Sequence, residues 1–149
     1  MDRNATEIYD LIGDEEADRQ HREIFEKYDE IMDAVRAQRG RGHLLRLLEQ
    51  LEQCARTHFA TEKQLFDAYG YPDAAAHLEE HRHFTIELWT LKSTVRDEDV
   101  LEETVRQTVK SLVSWLSHHV SKTDVAAGEF IRQRKALARG PVPEEGTGH

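Results

Sequence analysis

The sequence predicts an all-α protein, an antiparallel up-down-up-down four-helix bundle, and three observations lead to this prediction. Apolar residues recur at steps of three and four in four separate blocks, which is the period of an amphipathic helix. No segment alternates polar and apolar residues at period two, so a sheet is not expected. The links between the blocks are short, and short links place consecutive helices antiparallel to one another.

The first two helices have clear ends in the sequence. The first is expected over about residues 14–38, where an acidic start suits the helix dipole and Gly40-Arg41-Gly42 follows the end. The apolar stripe of the second helix runs over residues 44–69, and Gly70-Tyr71-Pro72 closes it.

The last two helices follow from the same pattern. The third stripe covers residues 77–95, and Asp73 stands where it can cap this helix. An acidic turn at Asp97-Glu98-Asp99 leads into the fourth helix, which runs past Trp115 to about Lys135. Four helices with comparable apolar stripes can share one core.

Composition restricts the class of protein. The 149 residues suffice for one domain, placed at residues 1–139, followed by a tail at 140–149 that is expected to be disordered. A net charge of −9 argues against nucleic acid and anionic membranes as partners, because both would repel the chain. A lone cysteine, Cys54, fits a reducing compartment. With no signal-peptide pattern at the start and no apolar run of membrane-spanning length, we expect a cytoplasmic protein without membrane insertion.

Polar residues interrupt the four apolar stripes at positions that should face the core. They are His21, His58, Glu62, His77, His81 and His119. Taking such a group out of water unpaired costs on the order of a few kcal/mol, whereas a domain is stable by roughly 5–15 kcal/mol. Pairing with a carboxylate, or a wet rim, would explain any single histidine. The whole set, in phase on four helices, favours a shared metal site.

The spacing of these residues supports a common site, but one candidate ligand, Asp124, does not fit the spacing of a regular helix. His58-x-x-x-Glu62 and His77-x-x-x-His81 are one helical turn apart, so the side chains of each pair point the same way. Asp124 follows His119 by five residues, which is about 140° around an ideal helix. Either Asp124 is not a ligand, or the helix is widened near residues 121–123 by a π bulge. We predict the bulge.

Taken together, these residues resemble the hemerythrin family, most closely its single-domain bacterial members, the bacteriohemerythrins. The resemblance covers about residues 18–130 and includes further matching stretches: Asp18-Arg-Gln-His21, His58-Phe59, Gly70-Tyr71-Pro72 and Trp115-Leu116-Ser-His-His119. It implies a hemerythrin-like bundle that holds two iron ions, with an oxo or hydroxo group between them. It places the ligands as follows: His77, His81 and His119 on one iron, His21 and His58 on the other, and Glu62 and Asp124 bridging the two.

The ligand set then suggests a reaction with O2. Five imidazoles, two bridging carboxylates and a bridging oxygen fill all but one of the positions around two six-coordinate ions. The open position, on the iron with two histidines, can take a small ligand. Nitrogen and oxygen ligands suit iron, whereas a thiolate-rich set would favour zinc. Neutral imidazoles donate less charge than the glutamates of other di-iron proteins, so an iron pair cycling between Fe2+ and Fe3+ is expected to release O2 intact.

The resemblance also implies a lining for the open position. The lining residues are Ile24, Phe59, Trp115, Leu116 and Val120. All five are apolar and none can act as a general acid or base. A dry wall of this kind slows the entry of water and protons that would leave the irons oxidised. Core packing alone would also account for these residues, and the two interpretations are compatible.

We therefore expect a protein without enzymatic activity that binds O2, for storage or for delivery to an oxygen-consuming enzyme. Two alternatives remain open on the sequence. The first is sensing of O2 or of redox state through a separate partner, since no signalling domain is fused to the bundle. The second is turnover of peroxide, nitric oxide or nitrite at the same irons.

Overall fold

The computed structural model describes residues 14–139, and this part of the chain contains helices and no strand. Four rods follow one another, and the fourth is built from three pieces without a break. They are α1 (Glu15–Arg36), α2 (Arg41–Tyr69), α3 (Ala74–Arg96) and the rod of α4 (Glu102–His118), a π segment (His119–Asp124) and α5 (Val125–Arg139). Each rod packs against the next, and α4 packs back on α1, which closes the bundle. The predicted four-helix bundle is confirmed.

The helix ends lie within a few residues of the predicted ones. α1 begins after Asp14, whose carboxylate accepts a hydrogen bond from the Ala17 amide at 3.0 Å. α2 ends at Gly70, whose left-handed φ of 67° is free of strain in glycine. Asp73 precedes α3 as expected, but its side chain makes no capping hydrogen bond, because its backbone (φ −98°, ψ 18°) is not extended. The predicted side-chain cap at Asp73 is therefore wrong.

The fourth rod is longer than the sequence predicted, since α5 continues to Arg139. The predicted tail at residues 140–149 lies outside the described residues, as do residues 1–13 of the predicted domain. None of the helices between residues 14 and 139 combines the length and the hydropathy that a membrane-spanning helix needs.

The apolar core has two parts, and the interrupted stripes pass between them. The larger cluster contains Leu51 and Ala55 of α2 together with side chains of the other rods. The smaller one consists of Ala17, Phe66, Ala127 and Ile131. Along α2, His58 and Glu62 lie between Ala55 and Phe66, so the polar residues occupy a layer within the core rather than an edge.

Arg41 ties together the end of the bundle near the start of α2. Its guanidinium donates hydrogen bonds to the backbone oxygens of Val95 (3.3 Å), Asp97 (2.5 Å) and Val100, and to the Glu102 carboxylate at 2.9 Å. These acceptors belong to the end of α3, the connecting turn and the start of α4. The loop between the third and fourth rods is therefore anchored to the second helix.

Candidate metal centre

All seven side chains that the sequence singled out as ligands lie in one buried cluster. α1 supplies one, α2 and α3 supply two each, and the π segment supplies the last two. They are His21, His58, Glu62, His77, His81, His119 and Asp124. Their exposed fractions run from 0% to 5%. Four separate rods thus bring polar side chains to the same depth of the core.

The π segment is what brings Asp124 into this cluster. It spans His119–Asp124, so the helix widens at the place where the spacing required it. Asp124 is 1% exposed and one of its oxygens lies 3.1 Å from His119 Nε2. The predicted bulge is confirmed, and a straight helix with Asp124 facing solvent is excluded.

The cluster divides into two groups that share their carboxylates. In each group, one donor atom per residue lies within 4.8 Å of all the others. One group holds Glu62, His77, His81, His119 and Asp124, and the other holds His21, His58, Glu62 and Asp124. Three histidines therefore belong to one group, two belong to the other, and both carboxylates belong to both.

The two oxygens of Asp124 face different groups. Oδ2 lies 2.9 Å from His21 Nε2, while Oδ1 lies 2.9 Å from His77 Nε2. The oxygens of Glu62 are not separated between the two groups in this way, because Oε1 is close to both His58 (3.3 Å) and His81 (3.0 Å). A carboxylate with one oxygen turned to each side is suited to bridge two cations.

Several polar atoms in the cluster have no hydrogen-bond partner among the described residues. These atoms are Nε2 of His58, His77, His81 and His119, both carboxylate oxygens of Glu62, and Oδ1 of Asp124. Buried polar atoms are nearly always satisfied, and leaving one unpaired costs roughly 1–3 kcal/mol. These seven atoms face the centre of the cluster. Their arrangement fits a pair of metal ions, and a set of imidazole nitrogens and carboxylate oxygens suits iron.

The electrostatics of the cluster keep its carboxylates ionised. Burial acts to raise the pKa of Glu62, yet contacts with His58 and other histidines hold that pKa well below its usual range. Burial also acts to lower the pKa of His77, but the facing carboxylates outweigh it and raise the pKa to about 9. His81 differs, because burial prevails there and lowers its pKa. Ionised carboxylates are the form that a cation requires.

Two residues that hydrogen-bond to histidines of the cluster from outside, and a third that holds one of them, were not among the predicted site residues. Gln20 Oε1 accepts a hydrogen bond from His58 Nδ1 at 3.2 Å. Glu80 Oε1 lies 2.9 Å from His119 Nδ1 and accepts from the Thr123 hydroxyl at 3.0 Å. Such partners orient a ligating histidine. Gln20 is only 3% exposed, and the sequence signal for it was its place in the Asp18-Arg-Gln-His21 stretch that carries the family resemblance.

The five residues predicted to line the open position all lie in the larger apolar cluster or pack against it. Ile24, Leu116 and Val120 are at most 2% exposed, and Phe59 and Trp115 are half-buried against them. The two aromatic rings also cover ligand candidates. Phe59 stacks on His81 with ring centroids 3.8 Å apart, and Trp115 stacks on His119 at 5.3 Å. The rings therefore lie against the group with three histidines.

Comparison with known proteins gives the family. The sequence model of one protein family, described as the hemerythrin HHE cation binding domain, matches residues 13–127 of this chain. The chain belongs to the hemerythrin family. Among curated proteins it is similar to bacteriohemerythrin of Pseudomonas aeruginosa, with 30% identity over 118 residues, which is 77% of this chain and 72% of the relative. Bacteriohemerythrin of Stenotrophomonas maltophilia is 26% identical over 123 residues, or 81% of this chain and 76% of the relative.

The hemerythrin assignment and the geometry agree. The family match extends over α1, α2, α3 and α4 and past the π segment, so it includes all seven residues of the cluster. A member of this family whose buried donors meet in one place is a metal-binding protein.

Proposed function

We propose that this hemerythrin-family chain binds two iron ions and, through them, binds O2 reversibly, without enzymatic turnover, for storage or for delivery to an oxygen-consuming enzyme. One observation carries the proposal. Seven buried donors form two groups that share Glu62 and Asp124, and most of their inward-facing atoms have no hydrogen-bond partner between residues 14 and 139. An arrangement of this kind holds two cations side by side.

The unequal groups support a single open position. His77, His81 and His119 would hold one ion, His21 and His58 would hold the other, and the two carboxylates would join them. Because the second ion would have one histidine fewer, it would keep one position open for a small ligand when a bridging oxygen completes the six ligands of the first. When bound, an iron pair supplies the two electrons that O2 takes up on binding and gives back on release.

The surrounding side chains support release of O2 intact over its loss as hydrogen peroxide or water. Ile24, Leu116 and Val120 are buried, apolar and unable to transfer protons. Five imidazoles bring no negative charge to the site, so the negative charge that the protein supplies there comes from two carboxylates. Loss of the bound O2 as hydrogen peroxide, or its further reduction to water, would consume protons, and these walls offer none.

The test is a metal analysis combined with anaerobic spectroscopy. We expect about two irons per chain after loading with Fe2+, and a visible absorption band that appears with O2 and disappears when O2 is removed under vacuum. The matched controls are Asp124→Asn, which should lose this response, and exposed His83→Ala, which should keep it. One iron per chain would contradict the proposal. Continuous consumption of O2, peroxide or nitric oxide with a reductant would favour an enzyme.

A further inference from the structure

Two histidines of the metal centre have a hydrogen-bond acceptor next to Nδ1, and the two acceptors differ in charge. Nδ1 of His119 lies 2.9 Å from the carboxylate of Glu80, while Nδ1 of His58 lies 3.2 Å from the amide oxygen of Gln20. The Nδ1 atoms of the other three have no hydrogen-bond partner within residues 14–139; these are His21, His77 and His81. Each group thus has one histidine with an acceptor at Nδ1. The acceptor is charged only in the group with three histidines.

Glu80 is itself fixed in place. It lies on α3 between His77 and His81, and the hydroxyl of Thr123 in the π segment donates to its two oxygens at 3.0 Å and 3.3 Å. The side chain is 40% exposed, so water solvates the charge on its outer side while its inner oxygen faces a 1% exposed imidazole. Glu80 therefore joins α3, the π segment and His119 through one carboxylate.

The contact fixes which nitrogen of His119 is free for a metal. An ionised carboxylate can only accept hydrogen bonds, so the Nδ1 of His119 must carry a proton and donate it. Nε2 is then the nitrogen left for a metal, and it faces the cluster, 3.1 Å from Asp124 Oδ1. A carboxylate behind a ligating imidazole also raises its basicity more than a neutral amide does.

We propose that Glu80 is a positioning residue of the metal centre, which holds His119 as an Nε2 ligand and makes it a stronger donor than His58. The inference rests on the proposed function, because it assumes that the cluster holds metal. Extra negative charge behind His119 stabilises the oxidised form of the ion on the three-histidine side. The two ions of the pair are then unequal in their outer partners as well as in their number of histidines.

Three variants separate the charge of Glu80 from its hydrogen bond. Glu80→Gln keeps an acceptor oxygen, as in Gln20, and removes the charge. Glu80→Ala removes both. Glu79→Gln is the matched control, because this neighbour is 71% exposed and its ion pair is with Arg82 at 4.0 Å, not with the cluster.

The first measurement is titration of each metal-free variant with Co2+, followed by the reduction potential of the iron-loaded protein. We expect Glu80→Ala to weaken binding of one of two Co2+ ions by about 10- to 100-fold. Glu80→Gln should keep two sites and shift the potential to a more positive value. Glu79→Gln should match the wild type in both. Equal affinities and potentials for all three variants would overturn the inference.

The second measurement needs no metal and separates this inference from the proposed function. In the metal-free protein, imidazole NMR should detect a slowly exchanging Nδ1 proton on His119 in the wild type and in Glu80→Gln, and lose it in Glu80→Ala. A wild type without this proton overturns the positioning role even if two metals bind. A wild type that has the proton but binds neither Co2+ nor iron contradicts the proposed function and, with it, the donor role of His119.

Discussion

Leu116 illustrates how a single apolar side chain can serve the fold and the proposed function together. It is 1% exposed, belongs to the larger core cluster, and lies three residues before His119 on the same rod. Packing alone would explain its burial. Its position less than one helical turn from a ligand candidate means that a polar group there would also bring water close to the metal.

Leu116→Asn is therefore expected to have two separable effects. Loss of the buried side chain should lower the free energy of unfolding by roughly 2–5 kcal/mol, and the iron-loaded protein should oxidise in air several-fold faster. Leu48→Asn is the matched control, because Leu48 is equally buried but precedes His58 by about 15 Å along α2. Urea unfolding measures the first effect, and decay of the O2-dependent absorption measures the second. Wild-type oxidation rates in both variants would contradict the dry-wall argument.

At the scale of the element, the π segment accommodates one extra residue without disturbing the rod beyond it. A π turn closes with hydrogen bonds from residue i to i+5, whereas an α turn closes from i to i+4. Ala127 and Ile131, which follow the segment, are both fully buried at 0% exposure. The widened turn thus turns Asp124 to the cluster and keeps the later apolar residues facing the core.

Deleting one residue from this element should consequently be tolerated where the same deletion elsewhere is not. Removal of exposed Lys122 converts the π turn into an α turn, so Asp124, Ala127 and Ile131 keep their directions. Removal of exposed Ser114 from α4 instead rotates every later residue by about 100°. In the first variant we expect cooperative thermal unfolding and retained Co2+ binding, and in the second we expect loss of both. Circular dichroism measures the unfolding, and titration with Co2+ measures the binding. Equal damage in the two variants would show that the π segment is not an inserted residue.

At the scale of the whole molecule, the sequence predicted the features that depend on one helix at a time. Apolar spacing predicted the four rods, and five-residue spacing between His119 and Asp124 predicted the bulge. Glu80 could not be found this way, because its contact with His119 joins two different rods and leaves no spacing in the sequence. The cap predicted at Asp73 failed for a similar reason, since a cap depends on backbone angles as well as on residue type.

The position of the metal centre links its occupancy to the stability of the bundle. The unpaired atoms lie between the two apolar clusters, and all four rods contribute to them. Without metal, each such atom is withheld from water with no hydrogen bond in return. Because the folded chain presents the complete ligand set and the unfolded chain does not, bound metal should stabilise the whole domain.

Metal removal should accordingly lower the melting temperature of the entire bundle. A metal present at about a thousand times its dissociation constant adds about 4 kcal/mol, which for a chain of this size corresponds to a shift on the order of 10 °C. Calorimetry of Fe2+-loaded protein under anaerobic conditions, before and after treatment with a chelator, measures the difference. Glu62→Ala should show a much smaller response to metal, while His83→Ala, at an exposed position, should respond like the wild type. Because Glu62 belongs to both groups, a metal-induced shift of wild-type size in Glu62→Ala would mean that the stabilising ions bind somewhere other than this cluster.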